Sequence, residues 1–585
     1  MDTDSDQVKF EYVDITDNKH VQGWSFKRRR SIIFALIADP EIAVVDIEKM
    51  METGMNVARF MTSHSTKDQK INLIHKFDKA ARFLARKYGL LEWPCATGIE
   101  LKTSIVETGL LEEEVGQVMI QEDTEVILTS NTEVFDKCND QRIFVDDPYL
   151  ESDVEIGMEI NISQEEIIMK CIAKINHDSI KCIVTKGGYL KNMAHVCLRG
   201  AKRSRPCITK KDLHIVRFAV EYQLDMIIVN YVRSIDTILK IKRYLGSALK
   251  RPMIIIGIST QDALNYIDDF IREGDGIIFS REFLAYEVER QLYYRMGLIQ
   301  SYIAGKCRQA CKPFYISGEV FKESLINGHI HTREISDVTN AILQGASGFS
   351  LGTSPNIDYV IDTIKFMNDL CPAVEPLTMD RTEFWHIVSQ SKMPVNAAEA
   401  CAMSCAVVAN QTNAPCIVVP TVSGRTGYLL NWLRPNSIVI AVSTKVRTIR
   451  RLKAYRSVTP LLYKGASRKT WFRTVQARIN FAIQYAVERK WINLGDYYVT
   501  LEKGTEESSF CDAVRIWNVT MIEKNKVVCP ISYHDFDINT YATASKRYFK
   551  TIEKEQKKRL KEETRKKTKD LEIDKGQDVE AENEK

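Results

Sequence analysis

Two short stretches carry side chains whose type and spacing suggest anion chemistry. In "GMNVARFMTSHS" (54–65) the segment MNVAR reads as a buried strand that delivers Arg59 to its C-terminal end, with Ser63 and His64 just beyond. A guanidinium at a strand end beside a hydroxyl and an imidazole is equipment for holding phosphate. "TVSGRT" (421–426) follows the apolar run CIVVP and opens the helical pattern GYLLNWL. A Ser/Thr/Gly turn at a helix N-terminus offers backbone N–H groups and hydroxyls to an anion, and the helix dipole assists. Downstream, Trp471 and Arg478 in KTWFRTVQARINF are two helical turns apart and share one face. "HIH" (329–331) resembles a metal pair, but strand-alternate histidines without a third ligand read as polar surface.

These residues must be positioned by an α/β framework. Eight apolar runs alternate with amphipathic stretches: 31–38, 54–62, 93–101, 225–232, 252–258, 275–280, 313–317 and 347–352. Continuous apolar runs separated by helices indicate a parallel sheet covered on both faces, and eight such units point to a (β/α)8 TIM barrel. Residues 103–203 interrupt the series with period-two patterns such as VGQVMIQEDTEVILTSN, which predict a small inserted β domain. An insertion at the C-terminal end of a barrel strand lies over the catalytic face and suits a lid.

A second α/β series follows, with predicted strands at 416–420, 438–443, 458–463, 497–502 and 514–519. It reads as a doubly wound domain. The expected organisation is an N-terminal segment (1–26), barrel (27–102 and 204–376), inserted β domain (103–203), C-terminal α/β domain (377–530) and charged tail (531–585). The tail, basic first and acidic last, reads as a solvated helix fading into disorder, with docking to an acidic partner the sharper alternative. "KRRR" (27–30) reads as a solvated entry turn to the first strand.

Composition excludes little but excludes it clearly. A net charge of +4 over 585 residues gives no general cause to bind nucleic acid. The acidic N-terminus has no apolar signal region and no 18-residue apolar run occurs, so neither export nor membrane spanning is expected. Fourteen scattered cysteines with no C-x-x-C predict reduced, mostly buried thiols in a cytoplasmic protein.

Taken in order, GMNVAR followed by SH, TREISDVTNAILQGA (332–346) and TVSGRTGYLLNWLRPNSIVIAV (421–442) resemble the pyruvate kinase family over about residues 27–525. The resemblance implies a barrel A domain, an inserted β-barrel B domain and an α/β C domain. It also implies homotetramers that use Mg²⁺ and K⁺ to move a phosphoryl group from phosphoenolpyruvate to ADP, a reaction of glycolysis. Such transfer depends on cations placed around the migrating group and a metal held by carboxylates.

Carried over residue by residue, the resemblance assigns Arg59 and Lys102 to retained catalytic positions, and Ser63, His64 and Glu100 to the cofactor-binding set. Met61 stands where an asparagine helps hold K⁺, and a thioether is a poor ligand for a hard cation. Leu101 and Glu107 replace a threonine and a phosphate-contacting arginine. Gly257 and Ser259 stand at the Lys and Glu of the family's Lys-Ile-Glu, the phosphoryl-stabilising lysine and a metal ligand. Phe283 falls on the second metal ligand, after Arg281 and Glu282, and Gly318, before Glu319, falls on the active-site threonine. Ser163, Gln164 and Glu165 replace the inserted domain's Asp-Asp-Gly turn. No metal ligand is therefore assigned, although a one-residue slip would bring Glu282 to the metal with Asp262 or Glu319 assisting.

In the C domain the resemblance makes Thr421, Ser423, Gly424, Arg425 and Thr426 the cradle for one phosphate of a sugar-phosphate effector, fructose bisphosphate. Trp471 and Arg478 take the other phosphate, and KGTEESS (503–509) is the overlying loop. A domain-interface turn with Trp471 in the core is the competing reading. The sequence thus predicts a pyruvate kinase-like paralogue with impaired or absent phosphoryl transfer and a regulatory or structural role. It would assemble as a homo- or hetero-oligomer with similar subunits. The alternative is an active, divergent kinase with relocated metal and potassium ligands.

Overall fold

The computed structural model describes residues 29–519, except 62–64, 89, 102–104, 113–115, 164, 202, 205–207, 247–250, 289, 379–380, 390–393 and 466–469, together with 521–522 and 526–527. Each of the eight predicted barrel runs forms a strand. They are β1 (Ile32–Ile37), β2 (Val57–Phe60), β3 (Ala96–Leu101), β4 (Met226–Val229), β5 (Met253–Ile258), β6 (Gly276–Ser280), β7 (Phe314–Ser317) and β8 (Gly348–Ser350). All neighbours pair in parallel, and Ile32 opposite Gly348 closes the barrel.

Strand periodicity sorts the apolar side chains into two layers. Ile33, Ala35 and Ile37 of β1 face the surrounding helices, in a cluster with Ile47, Phe77 and Ile364. Ile32 and Phe34 face inward and pack with Val57, Ala96, Met226, Met253 and Tyr315. That inner cluster also contains Ala454 from the C-terminal unit, whose carbonyl accepts the Tyr315 hydroxyl at 2.5 Å. The inward residues lie near the strand starts, so the C-terminal unit plugs the barrel floor.

The inserted domain has its own core, which includes Val126, Ile143, Ile160, Met169 and Ile180. A six-stranded sheet runs in the order Val196–Leu198, Glu159–Ile162, Ile167–Asn176, Ser179–Lys186, Glu125–Thr129, Arg142–Phe144. Its pairs are antiparallel except the last, and a two-stranded ladder joins Gln117–Ile120 to Gly188–Lys191.

The C-terminal sheet contains β9 (Cys416–Pro420), β10 (Ile438–Ser443), β11 (Val458–Leu462), β12 (Tyr497–Glu502) and β13 (Ala513–Asn518). Its order is β11-β10-β9-β12-β13, parallel except for β13. Helices cover both faces: Arg425–Leu433 packs on one and Trp471–Glu488 on the other.

The basic entry segment differs from its expectation. Arg30 is buried and donates to the carbonyls of Pro435 at 3.4 Å and Asn436 at 2.8 Å, while Arg29 donates to Asn56 Oδ1 at 2.8 Å. The two arginines link elements far apart in sequence instead of solvating a turn. Among the described residues no helix is long and apolar enough to cross a membrane. Beyond residue 519, Met521–Ile522 and Lys526–Val527 pair as a short antiparallel ladder, and the charged tail lies outside the described residues.

Candidate functional site: the barrel mouth and a C-terminal turn

At the C-terminal ends of the barrel strands a belt of polar side chains crosses five strands. Arg59 on β2 donates from Nη2 to the Leu351 carbonyl beyond β8 at 3.5 Å, and its Nη1 lies 3.8 Å from Glu100 Oε2 on β3. Glu100 in turn accepts the side-chain amide of Asn230, just past β4. Asn230 then lies against β5: a Cβ at Gly257 would sit 1.9 Å from Asn230 Oδ1 and 3.1 Å from its Cα. The belt is well buried, with Arg59 and Glu100 side chains 11% and 10% exposed.

Next to the belt, Ser259 is fully buried and its Oγ accepts the Tyr231 N–H at 2.8 Å. Tyr231 has a positive φ of 53°, unusual for a bulky side chain. That turn brings its ring into a three-ring cluster with His195 of the inserted domain and Phe283, with centroids 5.5 and 5.2 Å away; His195 and Phe283 are 5.3 Å apart. Burial lowers the His195 pKa and raises that of Tyr231. Beside this cluster, Cys197 Sγ and Arg199 Nε donate to the Tyr286 carbonyl at 3.3 and 3.1 Å. The inserted domain therefore rests on the helix Arg281–Glu287 that follows β6.

The charged groups at the mouth are largely paired with one another. Arg233 forks to Glu287 at 2.8 Å and Asp262 at 3.1 Å. Arg281 Nη1 meets Asp337 at 2.5 Å. Lys322 bridges Glu282 at 3.2 Å and Glu319 at 2.8 Å, and although burial opposes its charge, these carboxylates raise its pKa. Glu165 is held by Arg199 at 2.5 Å. Buried Arg59 Nε, Glu100 Oε2, Ser350 Oγ and Arg281 Nε and Nη2 make no hydrogen bond among the described residues.

Gly318 follows β7 with φ of +75°, and Glu319 and Phe321 also have positive φ, at 59° and 50°. A Cβ at Gly318 would lie 2.7 Å from both the backbone N and the Cβ of Glu282. Glycine is thus required twice here, by conformation and by close approach.

Arg59, Glu100, Gly257, Ser259, Phe283 and Gly318 accordingly gather around the mouth. Ser63, His64, Lys102 and Gln164 lie outside the described residues. Among the described residues no group of three or more His, Cys, Asp and Glu is arranged to hold a metal ion. Sequence reasoning missed Asn230, although a polar residue ending the apolar run DMIIV at a barrel strand's C-terminus was a signal for it. It also missed His195, whose surroundings in the chain give no such signal.

The C-terminal turn forms at adjacent strand ends. Val418 of β9 pairs with Thr500 of β12, so Thr421 and the 503–509 loop leave the sheet side by side. Thr421 Oγ1 accepts Gly424 N–H at 3.0 Å, Ser423 Oγ accepts Arg425 N–H at 3.4 Å, and Gly424 has φ of +87°. Thr426 donates to Cys511 Sγ at 3.3 Å, which ties the turn to the loop's far end. The loop is folded on itself, with Asp512 accepting from Gly504 N at 2.6 Å and Ser508 Oγ at 2.7 Å. Trp471 opens the helix Trp471–Glu488 and packs against its apolar cluster. Arg478 is half-buried, its Nε has no hydrogen-bond partner among the described residues, and burial lowers its pKa.

Two family descriptions match the chain: "Pyruvate kinase, barrel domain" over residues 27–363 and "Pyruvate kinase, alpha/beta domain" over 399–517. Among curated proteins, the chain is 26% identical over 491 residues to a pyruvate kinase of Candida albicans, covering 83% of this chain and 95% of that one. It is 26% identical over 495 residues to human Pyruvate kinase PKLR, covering 84% and 85% respectively. With Pyruvate kinase 2 of Trypanosoma brucei brucei it shares 24% over 491 residues, covering 84% and 96%.

Proposed function

The chain belongs to the pyruvate kinase family, and from that premise we propose that it is a paralogue with impaired or absent phosphoryl transfer, which serves a regulatory or structural role in an oligomer of pyruvate kinase-like subunits. The observation that carries this reading is the space around Gly257. The resemblance puts the phosphoryl-stabilising lysine there, and Asn230 lies where a side chain at that position would begin. Removing one such electrostatic group typically costs about 3–4 kcal/mol of transition-state stabilisation.

The family's metal does not fit the residues at the corresponding positions. Mg²⁺ takes hard oxygen ligands in near-octahedral geometry. Ser259 Oγ already accepts a backbone N–H, and Phe283 presents a ring packed against two others. The Met61 thioether suits K⁺ no better. Glu282 and Glu319 converge on Lys322, which supports the second reading, a relocated metal site formed once a divalent cation displaces that ammonium.

A coupled assay of the purified chain with phosphoenolpyruvate, ADP, K⁺ and either Mg²⁺ or Mn²⁺ separates the two. No turnover with either metal is expected. Turnover within about tenfold of the usual kinase range of about 1–100 s⁻¹ overturns the first reading. For the C-terminal turn, the reading is sugar-phosphate binding by Thr421, Ser423, Gly424, Arg425, Thr426, Trp471 and Arg478. The half-buried Arg478, with Nε unengaged among the described residues, supports it. Fructose bisphosphate is expected to raise the melting temperature, and Arg478→Ala to abolish the rise; no shift at millimolar ligand rejects the site.

A further inference from the structure

We propose that Cys171 and Cys182 form a reversible disulfide across the two longest strands of the inserted domain, making it a site of oxidative modification. The two residues are directly opposite in the antiparallel pairing of Ile167–Asn176 with Ser179–Lys186. Directly opposed residues of an antiparallel ladder have Cα atoms about 4.5–5.5 Å apart, inside the range of about 4.4–6.8 Å that a disulfide spans. Both side chains enter the same apolar core, with Met169, Ile180 and Val184, so they leave the sheet on one face. Both are free thiols, and the Cys171 S–H donates to the Ala173 carbonyl at 3.8 Å, beside the break in the ladder.

The pairing sets the two sulfurs apart. The neighbouring Cys182 lowers the Cys171 pKa, while Cys171 and burial raise that of Cys182. A thiolate is the nucleophilic form. The ladder is also broken beside Cys171. Its register slips between Cys171 and Ala173, leaving Ile172 as an extra residue that is 36% exposed. Cys171 itself is 1% exposed, so entry past this bulge favours an oxidant as small as hydrogen peroxide.

The chemistry balances with peroxide as oxidant. The Cys171 thiolate attacks one peroxide oxygen, the O–O bond breaks, and the departing hydroxide takes a proton to become water. Cys171 is then a sulfenic acid. Cys182 loses its proton and attacks that sulfur, the S–S bond forms, and the displaced hydroxide leaves with the proton as a second water. The sulfur pair gives up two electrons and peroxide takes them. The product staples a hairpin whose partner strands Glu159–Ile162 and Val196–Leu198 lead to the barrel contact at His195. A thiol reductant reverses it.

The test is non-reducing peptide mapping of the wild-type chain after graded peroxide treatment. The first bond formed among the fourteen cysteines should join the peptides bearing Cys171 and Cys182, with a mass loss of two hydrogens that dithiothreitol restores. Recovery of both peptides unlinked at a dose that oxidises other thiols overturns the proposal, as does a first bond between any other pair. In Cys182→Ser, Cys171 should stop at the sulfenic acid and be trapped by dimedone. Failure to trap it in a folded variant overturns the assignment of Cys171 as the attacking thiol. Wild-type mapping stands whether or not the variant folds.

Discussion

Arg450 Nε lies 3.0 Å from Asp225 Oδ2, joining a helix of the C-terminal α/β unit to the barrel floor. Asp225 is completely buried, and the same oxygen accepts Thr97 N–H at 2.9 Å and Thr97 Oγ1 at 3.0 Å. Removing one partner of a buried ion pair leaves an uncompensated charge, at a cost of about 3–5 kcal/mol. Arg450→Met is expected to lower the unfolding free energy by about that much, read from the urea midpoint. Adding Asp225→Asn to Arg450→Met should recover part of the loss, because the residues couple directly. An unchanged midpoint in Arg450→Met would refute the role of this pair.

Gly257→Lys is expected to destabilise the chain by about 1–3 kcal/mol through overpacking against Asn230, with no gain of phosphoryl transfer. The double variant Gly257→Lys, Asn230→Ala should recover part of the lost stability. Thermal melting with the coupled assay decides, and a fully stable Gly257→Lys alone contradicts the packing argument.

Gly318→Thr meets a different obstacle. A side chain there must adopt φ near +75° with its Cβ 2.7 Å from the Glu282 backbone. Strain of that kind costs about 1–3 kcal/mol. A corresponding fall in the denaturant midpoint is expected, with Gly318→Ala falling for the same reason.

The contact at His195 should loosen in acid. Burial lowers the His195 pKa in the fold, so below the ordinary value of about 6.5 the freed imidazole binds a proton that the packed one resists. Its contribution is therefore present above that value and lost as pH falls through it. Protection from hydrogen exchange at 196–198 and 283–287, taken relative to the intrinsic rate at each pH, should fall between pH 7.5 and 5.5, and His195→Phe should flatten this response. Global melting is the wrong readout. Burial raises Glu92 to about 7, so the fold holds a proton there that the unfolded chain releases above about 4.5, an effect of opposite sign. Equal protection at both pH values would refute the prediction.

The framework was legible because strands buried on both faces leave continuous apolar runs, and each of the eight in the barrel matched. That Arg59 and Gly257 lie at the barrel mouth was legible from the strand ends. What packs against them was not. Asn230 reaches Gly257 from the neighbouring strand and His195 reaches Tyr231 from another domain; spacing along one chain does not encode such meetings. The fate of the spare carboxylates was equally hidden, since Glu282 and Glu319 find Lys322 through loop geometry. Arg30 of KRRR was misjudged because charge predicts exposure, whereas backbone carbonyls at Pro435 and Asn436 accept from it in the interior.

The interlocking of Gly257 with Asn230, and of Gly318 with Glu282, also bears on the direction in which this sequence can drift. Each member of a pair fixes what its neighbour tolerates. A larger side chain at 257 or 318 meets an obstacle unless its neighbour changes with it. The mouth of this barrel is thus built from coupled pairs, by close approach at 257 and by close approach and backbone conformation at 318.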